Sequence, residues 1–460
     1  MAYLNAYIKK FCIPDSKNII DALRIFEKNR TNLVIVVSKN KIFLGVLSIS
    51  DIRKAILNGL NINSPIKNII NTTPLVLRDK IDENQITDIV SSDQFNSIRP
   101  PLIPLIDKNN FPYRIVNKNN VELRSLNKHK TKSKPRILLI GGAGYIGSVL
   151  AKKLLKIGYN VTIFDKFIYS SKNNLKKLLK SKNLELVQGD SRNITEIFSV
   201  VKKNDIVVHL AELVGDPLCE KRPSKTYEVN FLASMSISNI CKNFSVSKLI
   251  YISSCSVYGV NKNNDLLTEE SKILPLSVYA KLKSLIERTI IRNMDEYCRP
   301  CILRLGTVFG KSIRPRYDLV INLFSGLVAN KKTLTIQGGE QWRPFIHVED
   351  VSDAIIKVIK LDNEKTNGKI FNLASFNCKI SDIGRAIKKI YPEAKIKFNN
   401  SSKDKRDYKV SSLKARKIIK FNPKFTLEKG IKELVNFTQK SEIKNLNLAK
   451  FQNILNADKF

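Results

Sequence analysis

Histidine is scarce in this chain: only His129, His209 and His347 occur among 460 residues. The seven cysteines are scattered and odd in number, which is typical of a reducing compartment and not of a disulfide framework. Cys298 and Cys301 form a C-x-x-C pair, but no histidine lies near them in the sequence. We therefore expect no metal site and interpret the pair as packing residues.

Long apolar runs and a signal segment are also lacking. No run approaches the roughly 20 residues that a membrane-spanning helix needs. The first residues, MAYLNAYIKKFCIPDS, contain no basic region followed by an apolar segment, so no secretory signal is expected. These absences predict a cytoplasmic protein with no membrane partner.

Acidic residues are few beside basic ones: 41 Asp and Glu against 79 Lys and Arg give a formal net charge of +38. The lysines are spread along the whole chain, and no basic segment is interleaved with aromatics as in a groove that binds nucleic-acid strands. Nucleic acid is therefore not an expected partner. Anionic small substrates, such as nucleotides, fit the charge.

The clearest division of the chain is RSLNKHKTKSKPR, residues 124–136, which is polar, rich in lysine and without apolar periodicity. ILLIGGAGYIGS follows at once, and a glycine turn of this kind usually opens its own domain. We predict an N-terminal module at 1–124, a linker at 125–134 and a second domain at 135–460.

A repeated pattern occupies the N-terminal module. NLVIVVSKNKIFLGVLSISDIRKAIL predicts strand, turn, strand and helix, and PLIPLIDKNNFPYRIV repeats the strand–turn–strand portion. Residues 7–124 resemble a tandem cystathionine-β-synthase-type (CBS) pair, similar to those that precede sugar nucleotidyltransferase domains. The resemblance implies a regulatory adenine nucleotide, with Ser48 at its phosphate or ribose and Asp51 at the ribose hydroxyls. The alternative is that Ser50 or Asp51 only caps the helix.

The second copy of the pattern departs from the first. Asn119 stands where the aspartate would be, and Tyr113 stands where the glycine would be. We expect this copy to bind no nucleotide and to serve in pairing the modules or in dimer formation.

A glycine turn opens the second domain. Gly141, Gly144 and Gly147 satisfy G-x-x-G-x-x-G between a buried strand and an amphipathic helix. Glycine is needed there because the turn is tight and its backbone must touch a pyrophosphate. The helix that begins at Tyr145 and Ile146 then offers unpaired N–H groups to the anion.

Two carboxylates follow this turn in the sequence. Asp165 ends the next strand about 20 residues on and is expected to accept the adenosine ribose hydroxyls. Because a carboxylate there repels a 2′-phosphate, NAD is favoured over NADP as the cofactor. Asp190 in LVQGDSRN is placed for the adenine, and its alternative is a turn or cap aspartate.

Tyr279 and Lys283 in SVYAKLKSLIERT lie four residues apart, on one face of a predicted helix. An ammonium ~4 Å from a phenol is worth up to roughly 4 kcal/mol at an effective dielectric near 20. Since one pKa unit is ~1.4 kcal/mol, we expect the pKa of Tyr279 to fall to about 7 with help from a positive nicotinamide. Tyr279 would then be the catalytic base.

Residues 135–437 resemble an extended short-chain dehydrogenase/reductase of the nucleotide-sugar epimerase/dehydratase family. The resemblance is carried by GGAGYIGS, HLAE, YEVNFLAS, YISSCSVYG, YAKLK, ILRLGTVFG, RPFIHVEDV and FNLAS. It implies an α/β fold: a Rossmann-type doubly wound parallel sheet with a small C-terminal substrate lobe, here preceded by the α+β CBS-type pair. It also implies NAD, a nucleotide-sugar substrate and a homodimer.

The resemblance assigns the catalytic hydroxyl to Ser254, which would hydrogen-bond the reacting sugar hydroxyl beside Tyr279. The 4,6-dehydratases of the family carry Asp-Glu directly after this hydroxyl, because removing water needs a separate acid and base. Cys255 and Ser256 occupy those positions. Dehydration is therefore disfavoured, and so is carbanion-type epimerisation, whose cysteine would stand at Ser256.

In the substrate lobe the resemblance places Asn322, Arg343 and Arg406 at the sugar diphosphate. Two guanidiniums converging on a pyrophosphate would each bind it bidentately; the alternative for each arginine is a surface ion pair. His347 is interpreted as structural. Glu212 departs from the small residue expected after HLA, next to a Gly-Asp-Pro turn that meets nicotinamide and sugar in this family.

These features predict an NAD-dependent nucleotide-sugar epimerase, acting at C4 through a transient keto-sugar. The sequence does not separate this from a nucleotide-sugar 4-reductase or dehydrogenase, in which the ketone leaves. A nucleotide-sensing binding protein is a further alternative.

Overall fold

The computed structural model describes residues 8–29, 31–78, 102–117, 134–244, 246–261, 265–293, 300–399, 404 and 406–453. The chain divides into two compact units, residues 1–130 and 131–460, and each is described by itself. Most of the linker at 125–134 lies outside the described residues, so the domain boundaries stay a prediction.

Two three-stranded sheets form the described part of the N-terminal unit, together with two α-helices. The strands are β1 (Cys12–Pro14), β2 (Leu33–Val37), β3 (Phe43–Ser48), β4 (Leu77–Arg78), β5 (Leu102–Ile106) and β6 (Pro112–Asn117), and the helices are α1 (Ile19–Asn29) and α2 (Ile49–Leu57).

The two sheets of this unit repeat one pairing pattern. In each sheet a first strand pairs in parallel with a second, which pairs antiparallel with a third. The two hairpins turn at Lys41 and Asn110, whose left-handed φ angles are 65° and 67°. Val37 of the first copy and Ile106 and Ile115 of the second belong to one buried cluster. The repeat predicted from the sequence is confirmed.

Strand pairing corrects the predicted alignment of the two copies. Gly45 and Arg114 occupy equivalent positions in the two antiparallel pairs, because both hairpins shift register at the same place. The alignment that put Tyr113 at the glycine position is therefore wrong by one residue. Asn119 lies outside the described residues.

Helix α2 begins with a reciprocal cap. The Ser48 hydroxyl accepts the backbone N–H of Asp51 at 3.2 Å, and the Asp51 carboxylate accepts the backbone N–H of Ser48 at 2.8 Å. The same hydroxyl donates to that carboxylate at 2.7 Å. The cap is thus made by Ser48 with Asp51 and not by Ser50, and a nucleotide contact at these two residues stays a prediction.

The second unit carries the remaining strands and helices. Its strands are β7 (Ile137–Ile140), β8 (Val161–Asp165), β9 (Leu184–Gln188), β10 (Ile206–His209), β11 (Lys248–Ser254), β12 (Leu266–Leu267), β13 (Pro300–Leu305), β14 (Thr307–Phe309), β15 (Leu334–Gln337), β16 (Trp342–His347), β17 (Ile370–Leu373), β18 (Phe376–Lys379), β19 (Ile396–Asn399) and β20 (Lys409–Val410). Its helices are α3 (Tyr145–Lys156), α4 (Ile194–Val201), α5 (Asp216–Lys221), α6 (Pro223–Thr226), α7 (Ala233–Asn243), α8 (Val278–Arg292), α9 (Val320–Ala329), α10 (Val348–Lys360), α11 (Asn363–Thr366), α12 (Ile380–Ile390), α13 (Leu413–Ile418) and α14 (Leu427–Lys440).

Seven parallel strands form the main sheet, in the order β17-β13-β11-β10-β7-β8-β9. The strands β7 and β10 are buried along their whole length, as expected for a parallel sheet with helices on both faces. The chain runs outward from β7 to β9 and then returns to β10 on the other side. This reversal opens a crevice at the carboxyl ends of β7 and β10, and the predicted Rossmann-type sheet is confirmed.

Shorter sheets and three helices form the C-terminal lobe. Its sheets are β14-β16-β18, β15-β19 and β12-β20. Its core contains Phe309, Ile321, Phe345, Ile383 and Ile431. The core joins the sheets β14-β16-β18 and β15-β19 to the helices α9, α12 and α14. Across the described ranges of the chain, no helix has both the length and the apolar character that a membrane crossing requires.

Candidate active site

The glycine turn between β7 and α3 leaves no space for a side chain at Gly141 or Gly147. A Cβ at Gly141, where φ is +83°, would lie 2.6 Å from the backbone nitrogen of Ala211, and one at Gly147 would lie 2.6 Å from the Cα of Gly142. Gly144 caps α3 without a side-chain hydrogen bond. The turn is therefore pressed against the end of β10, and the first N–H groups of α3 remain available to an anion.

Asp165 ends β8 beside this turn. Its carboxylate accepts the backbone N–H of Ala143 at 2.9 Å and that of Phe167 at 2.8 Å. Burial raises the pKa of Asp165, and the two amide hydrogen bonds act in the opposite direction. The acid thus supports the glycine turn directly.

Asp190 follows β9 by two residues. It makes the contact of a turn aspartate, and it also lies at the cavity in which the adenine is expected. Its carboxylate accepts the backbone N–H of Arg192 at 3.0 Å, as a turn aspartate does, and pairs with the Arg192 guanidinium and with Lys166. Burial opposes the ionised form, but these cations hold the pKa of Asp190 well below its usual range. It also lines the cavity described next.

A cavity of about 830 Å³ opens over the carboxyl ends of the main sheet and continues into the C-terminal lobe. The glycine turn and the ends of β8, β9, β10 and β11 form one side of it, and residues after β13 and β14 form the other. Predicted site residues that line it are Gly141, Gly144, Tyr145, Ile146, Gly147, Asp165, Asp190, Ser254, Tyr279, Lys283, Arg343 and Arg406.

Ser254, Tyr279 and Lys283 all line this cavity. Ser254 is the last residue of β11, and its hydroxyl accepts the backbone N–H of Ser256 at 3.1 Å. Tyr279 is the second residue of α8. Lys283 follows one turn later, and its ammonium lies 5.6 Å from the centroid of the Tyr279 ring. The sequence spacing alone predicted only that Tyr279 and Lys283 share one face of a helix.

Glu212 is the partner of this lysine. Lys283 and Glu212 form an ion pair whose side chains are 3% and 4% exposed. The other carboxylate oxygen of Glu212 accepts the hydroxyl of Tyr251 at 2.6 Å, and Lys283 also donates to the carbonyl oxygen of Ile252. The ammonium is therefore held between β10 and β11.

The surroundings of Tyr279 act against the expected acidification of its phenol. Burial raises the pKa of Tyr279 well above its ordinary value, and the charge of Glu212 adds to the rise. Sequence reasoning did not connect this carboxylate to Lys283. The pKa of about 7, which was expected with help from a positive nicotinamide, stays a prediction.

A buried network of side chains lies beside β11. The Ser253 hydroxyl donates to Glu287 of α8 at 2.5 Å, and Arg304 of β13 makes a bidentate pair with the same carboxylate. Arg304 also donates to the Tyr258 hydroxyl at 2.8 Å. These bonds join β11 to α8, and so fix Ser254 relative to the helix that carries the tyrosine.

The two positions after Ser254 hold no acid. Cys255 is buried, and its thiol donates to the carbonyl oxygen of Arg304 at 3.3 Å. Ser256 is 5% exposed. Neither side chain lines the cavity among the described residues, which agrees with the sequence argument against dehydration.

Carboxylates already pair with both predicted diphosphate arginines. Arg343 contacts Asp404 at 2.8 Å, and Arg406 contacts Asp404 and Asp216 at 2.6 Å each. Asp216 also accepts the hydroxyl of Ser277, the cap of α8, at 2.6 Å. The arginines thus converge at one end of the cavity, and Asp216 connects Arg406 to α8 through Ser277.

The geometry does not support Asn322 as a diphosphate ligand. It is 1% exposed, and it is not among the described residues that line the cavity. Its oxygen accepts the backbone N–H of Gly310 at 3.0 Å, and its amide nitrogen donates to Tyr145 at 3.1 Å and to the carbonyl oxygen of Arg316 at 2.8 Å. Asn322 instead joins the lobe to α3.

Sequence reasoning missed a second basic group in the segment RPRYD. Arg316 makes a bidentate pair with Asp318 at 2.8 and 2.9 Å, and Arg314 donates to the side chain of Asn453 at 2.7 Å. Burial, followed by the nearby charge of Arg316, lowers the pKa of Arg314 to about 10. All four residues line the cavity, and two arginines four and six positions before an aliphatic helix were the available signal.

The sequence profile of the NAD dependent epimerase/dehydratase family matches residues 137–374. The chain belongs to this family. A CBS domain profile matches residues 7–58, the first of the two N-terminal copies. The predicted identity of both parts is thereby confirmed at the level of the family.

Members of the family with several activities are similar to this chain. Protein CapI of Staphylococcus aureus is 31% identical over 233 residues, 49% of this chain and 69% of its own length. The UDP-N-acetyl-alpha-D-glucosaminuronate decarboxylase of Bacillus cytotoxicus is 27% identical over 332 residues, 67% of this chain and 99% of its own length. The structure of UDP-glucuronic acid 4-epimerase from Bacillus cereus, in complex with UDP-glucuronic acid and NAD, has 25% identity and a TM-score of 0.59, and covers 66% of this chain and 99% of that one.

The residues of this epimerase/dehydratase site fit NAD. The glycine turn has no space for a Cβ at Gly141 or Gly147, the start of α3 has unused N–H groups, and Asp165 stands at the end of β8. No cluster of metal-binding side chains occurs within the described ranges. His347 is buried against Phe425 and Glu433, and its expected structural role is supported. The cofactor of the chain is NAD.

Proposed function

We propose that this enzyme is an NAD-dependent nucleotide-sugar epimerase that acts at C4 through a transient keto-sugar. One observation carries the proposal: Ser254, Tyr279 and Lys283 line the same cavity as the glycine turn and the two predicted diphosphate arginines. The substrate class is supported by the UDP-glucuronic acid bound in the similar 4-epimerase. The lack of an acid after Ser254 favours epimerisation over dehydration.

Each residue has a separate task in this proposal. Arg343 and Arg406 bind the diphosphate and fix the sugar at the centre of the cavity. Ser254 orients the reacting hydroxyl, and Tyr279 removes the proton from that hydroxyl and later returns it. Bound NAD supplies the acceptor and donor of the hydride. Rotation of the ketone between the two steps inverts the carbon.

A nucleotide-sugar 4-reductase is the second candidate. One observation favours it: burial, followed by the charge of the Glu212 carboxylate that pairs with Lys283, raises the pKa of Tyr279 and so favours its protonated form. A protonated phenol suits the reductive direction, in which it donates its proton to the oxygen of a ketone.

We further propose that the N-terminal unit binds an adenine nucleotide and regulates or tethers the enzyme, and that the enzyme forms a homodimer. The CBS match at residues 7–58 supports the first part. The polar groups of Ser48 and Asp51 are engaged with each other, so a nucleotide would add to the existing cap.

A panel of nucleotide sugars, followed by NMR without added reductant, tests the epimerase. We expect a new anomeric signal at equilibrium with the substrate, no consumption of NADH, and no product from Tyr279→Phe, because that variant lacks the proton carrier. The variant should keep its NAD affinity, which calorimetry measures. Turnover that requires one NADH per product would favour the reductase instead, and full activity of the variant would contradict the assignment of the base.

A further inference from the structure

Glu212 is a buried carboxylate at the reacting end of the cavity for which the proposed reaction has no use. It follows β10 directly and lines the cavity beside Ser254, Tyr279 and Lys283. Burying a carboxylate is costly unless it is paired and hydrogen-bonded. Here both conditions are met, by Lys283 on one oxygen and by the Tyr251 hydroxyl on the other.

The pair determines how much positive charge reaches the phenol. Lys283 and Tyr279 lie on the same face of α8, with 5.6 Å between the ammonium and the ring centroid. An unpaired ammonium at such a distance would favour the phenolate. The Glu212 carboxylate in contact with the ammonium opposes this effect, because its negative charge raises the pKa of Tyr279.

Other ionisable groups also face this phenol from the elements packed around it. From the strands come Glu212 and Tyr251, and from the same helix comes Lys283. Asp216 and Cys219 of α5 raise the pKa of Tyr279, whereas Arg316 of the lobe lowers it. Asp216 is itself paired with Arg406. After burial, the charge of Glu212 has the largest effect on the pKa of Tyr279, so removing this charge should shift that pKa the most.

We propose that Glu212 is a positioning residue of this active site, which fixes the ammonium of Lys283 against β11 and cancels the positive charge that Lys283 would otherwise present to Tyr279. This inference rests on the proposed function insofar as Tyr279 is the proton carrier. Its consequence is that the phenol stays protonated until a cationic ligand enters the cavity beside it. Oxidised NAD carries a positive nicotinamide and is such a ligand.

An ultraviolet titration of the phenolate in the full chain tests this without any substrate. Subtracting the titration of Tyr279→Phe from that of the parent isolates the signal of this one phenol. The same subtraction is made for Glu212→Gln, using the double variant Glu212→Gln with Tyr279→Phe as the reference. We expect the midpoint of the Tyr279 titration to fall by about one pH unit or more, and one unit corresponds to a tenfold change in the protonation equilibrium. A midpoint unchanged within 0.3 units (a roughly twofold change at most) would overturn the proposal.

Three further variants separate electrostatics from packing. Glu212→Asp should restore a midpoint near that of the parent, because the charge is kept. Glu220→Gln removes a carboxylate from the exposed end of α5 and should leave the midpoint unchanged. If Glu212→Gln does not fold, Glu212→Gln with Lys283→Met leaves no unpaired buried charge. Its midpoint should match that of the parent, and a large rise would overturn the proposal.

Failure of the proposed function gives a different result. If no nucleotide sugar turns over, the epimerase assignment fails while the shifted titration of Glu212→Gln still stands. If a sugar turns over and the titration does not shift, only the role of Glu212 is lost.

Discussion

At the scale of single residues, the substrate end of the cavity is already neutralised by the protein itself. Asp404 contacts both Arg343 and Arg406, and Asp216 contacts Arg406 from the other side. The pKa of Asp404 is held well below its usual range by these guanidiniums, although burial opposes this. A diphosphate that binds here has to replace a carboxylate and does not meet free arginines.

This competition predicts opposite effects for two substitutions. Arg406→Lys keeps the charge but loses the bidentate fork, so the affinity for UDP should fall about tenfold, since a hydrogen bond to a charged group is worth ~1.5–3 kcal/mol. Asp404→Asn removes the competing charge, so the affinity should rise. Calorimetry with UDP measures both.

The split between KM and kcat provides the control for these variants. Both substitutions should change KM for the nucleotide sugar and leave kcat nearly constant, because neither residue touches the reacting carbon in the proposed arrangement. Weaker UDP binding by Asp404→Asn would contradict the competition, and would assign Asp404 to holding the arginines in place.

At the scale of elements, the glycine turn, β7, α3 and β8 could be predicted from the sequence because each has a local cause. A turn without Cβ atoms, a buried strand and an amphipathic helix are all visible within about thirty residues. The pairing of Glu212 with Lys283 could not be predicted, because the two residues are distant in the sequence and meet only when β10 and α8 pack on the same sheet. The sequence likewise did not show that Asn322 is engaged with Gly310, Tyr145 and Arg316.

Helix α2 gives a prediction at this scale. Ser48→Ala should remove the cap and cost about 1 kcal/mol, which corresponds to a roughly fivefold increase in exchange from the opened helix. Hydrogen exchange of the amides in 49–57, measured on the full chain, checks this. Ser50→Ala is the matched control, because Ser50 is exposed and contributes nothing to the cap.

The same variants test the nucleotide proposal. If Ser48 also contacts an adenine nucleotide, Ser48→Ala weakens the binding of AMP to the full chain, as measured by calorimetry, whereas Ser50→Ala does not. Equal AMP binding by all three proteins would leave Ser48 with its capping role alone.

At the scale of the whole molecule, the two units are built from sheets of different design. The seven-stranded parallel sheet brings residues from β7, β8, β10 and β11 to one edge, although they lie far apart in the sequence. The N-terminal unit repeats one small sheet twice and shares a core between the copies. The Rossmann-type parallel sheet was predictable from the family resemblance, whereas the register of the second N-terminal copy required the observed strand pairing.

The central claim is that a hydride leaves the sugar carbon whose hydroxyl Tyr279 and Ser254 hold, and does not exchange with water. The most direct measurement uses a nucleotide sugar that carries deuterium at this carbon, with the product and the cofactor examined by NMR and mass spectrometry. The account predicts that the deuterium is retained, either in the epimerised sugar or in NADH. Loss of the deuterium to the solvent during turnover would contradict it.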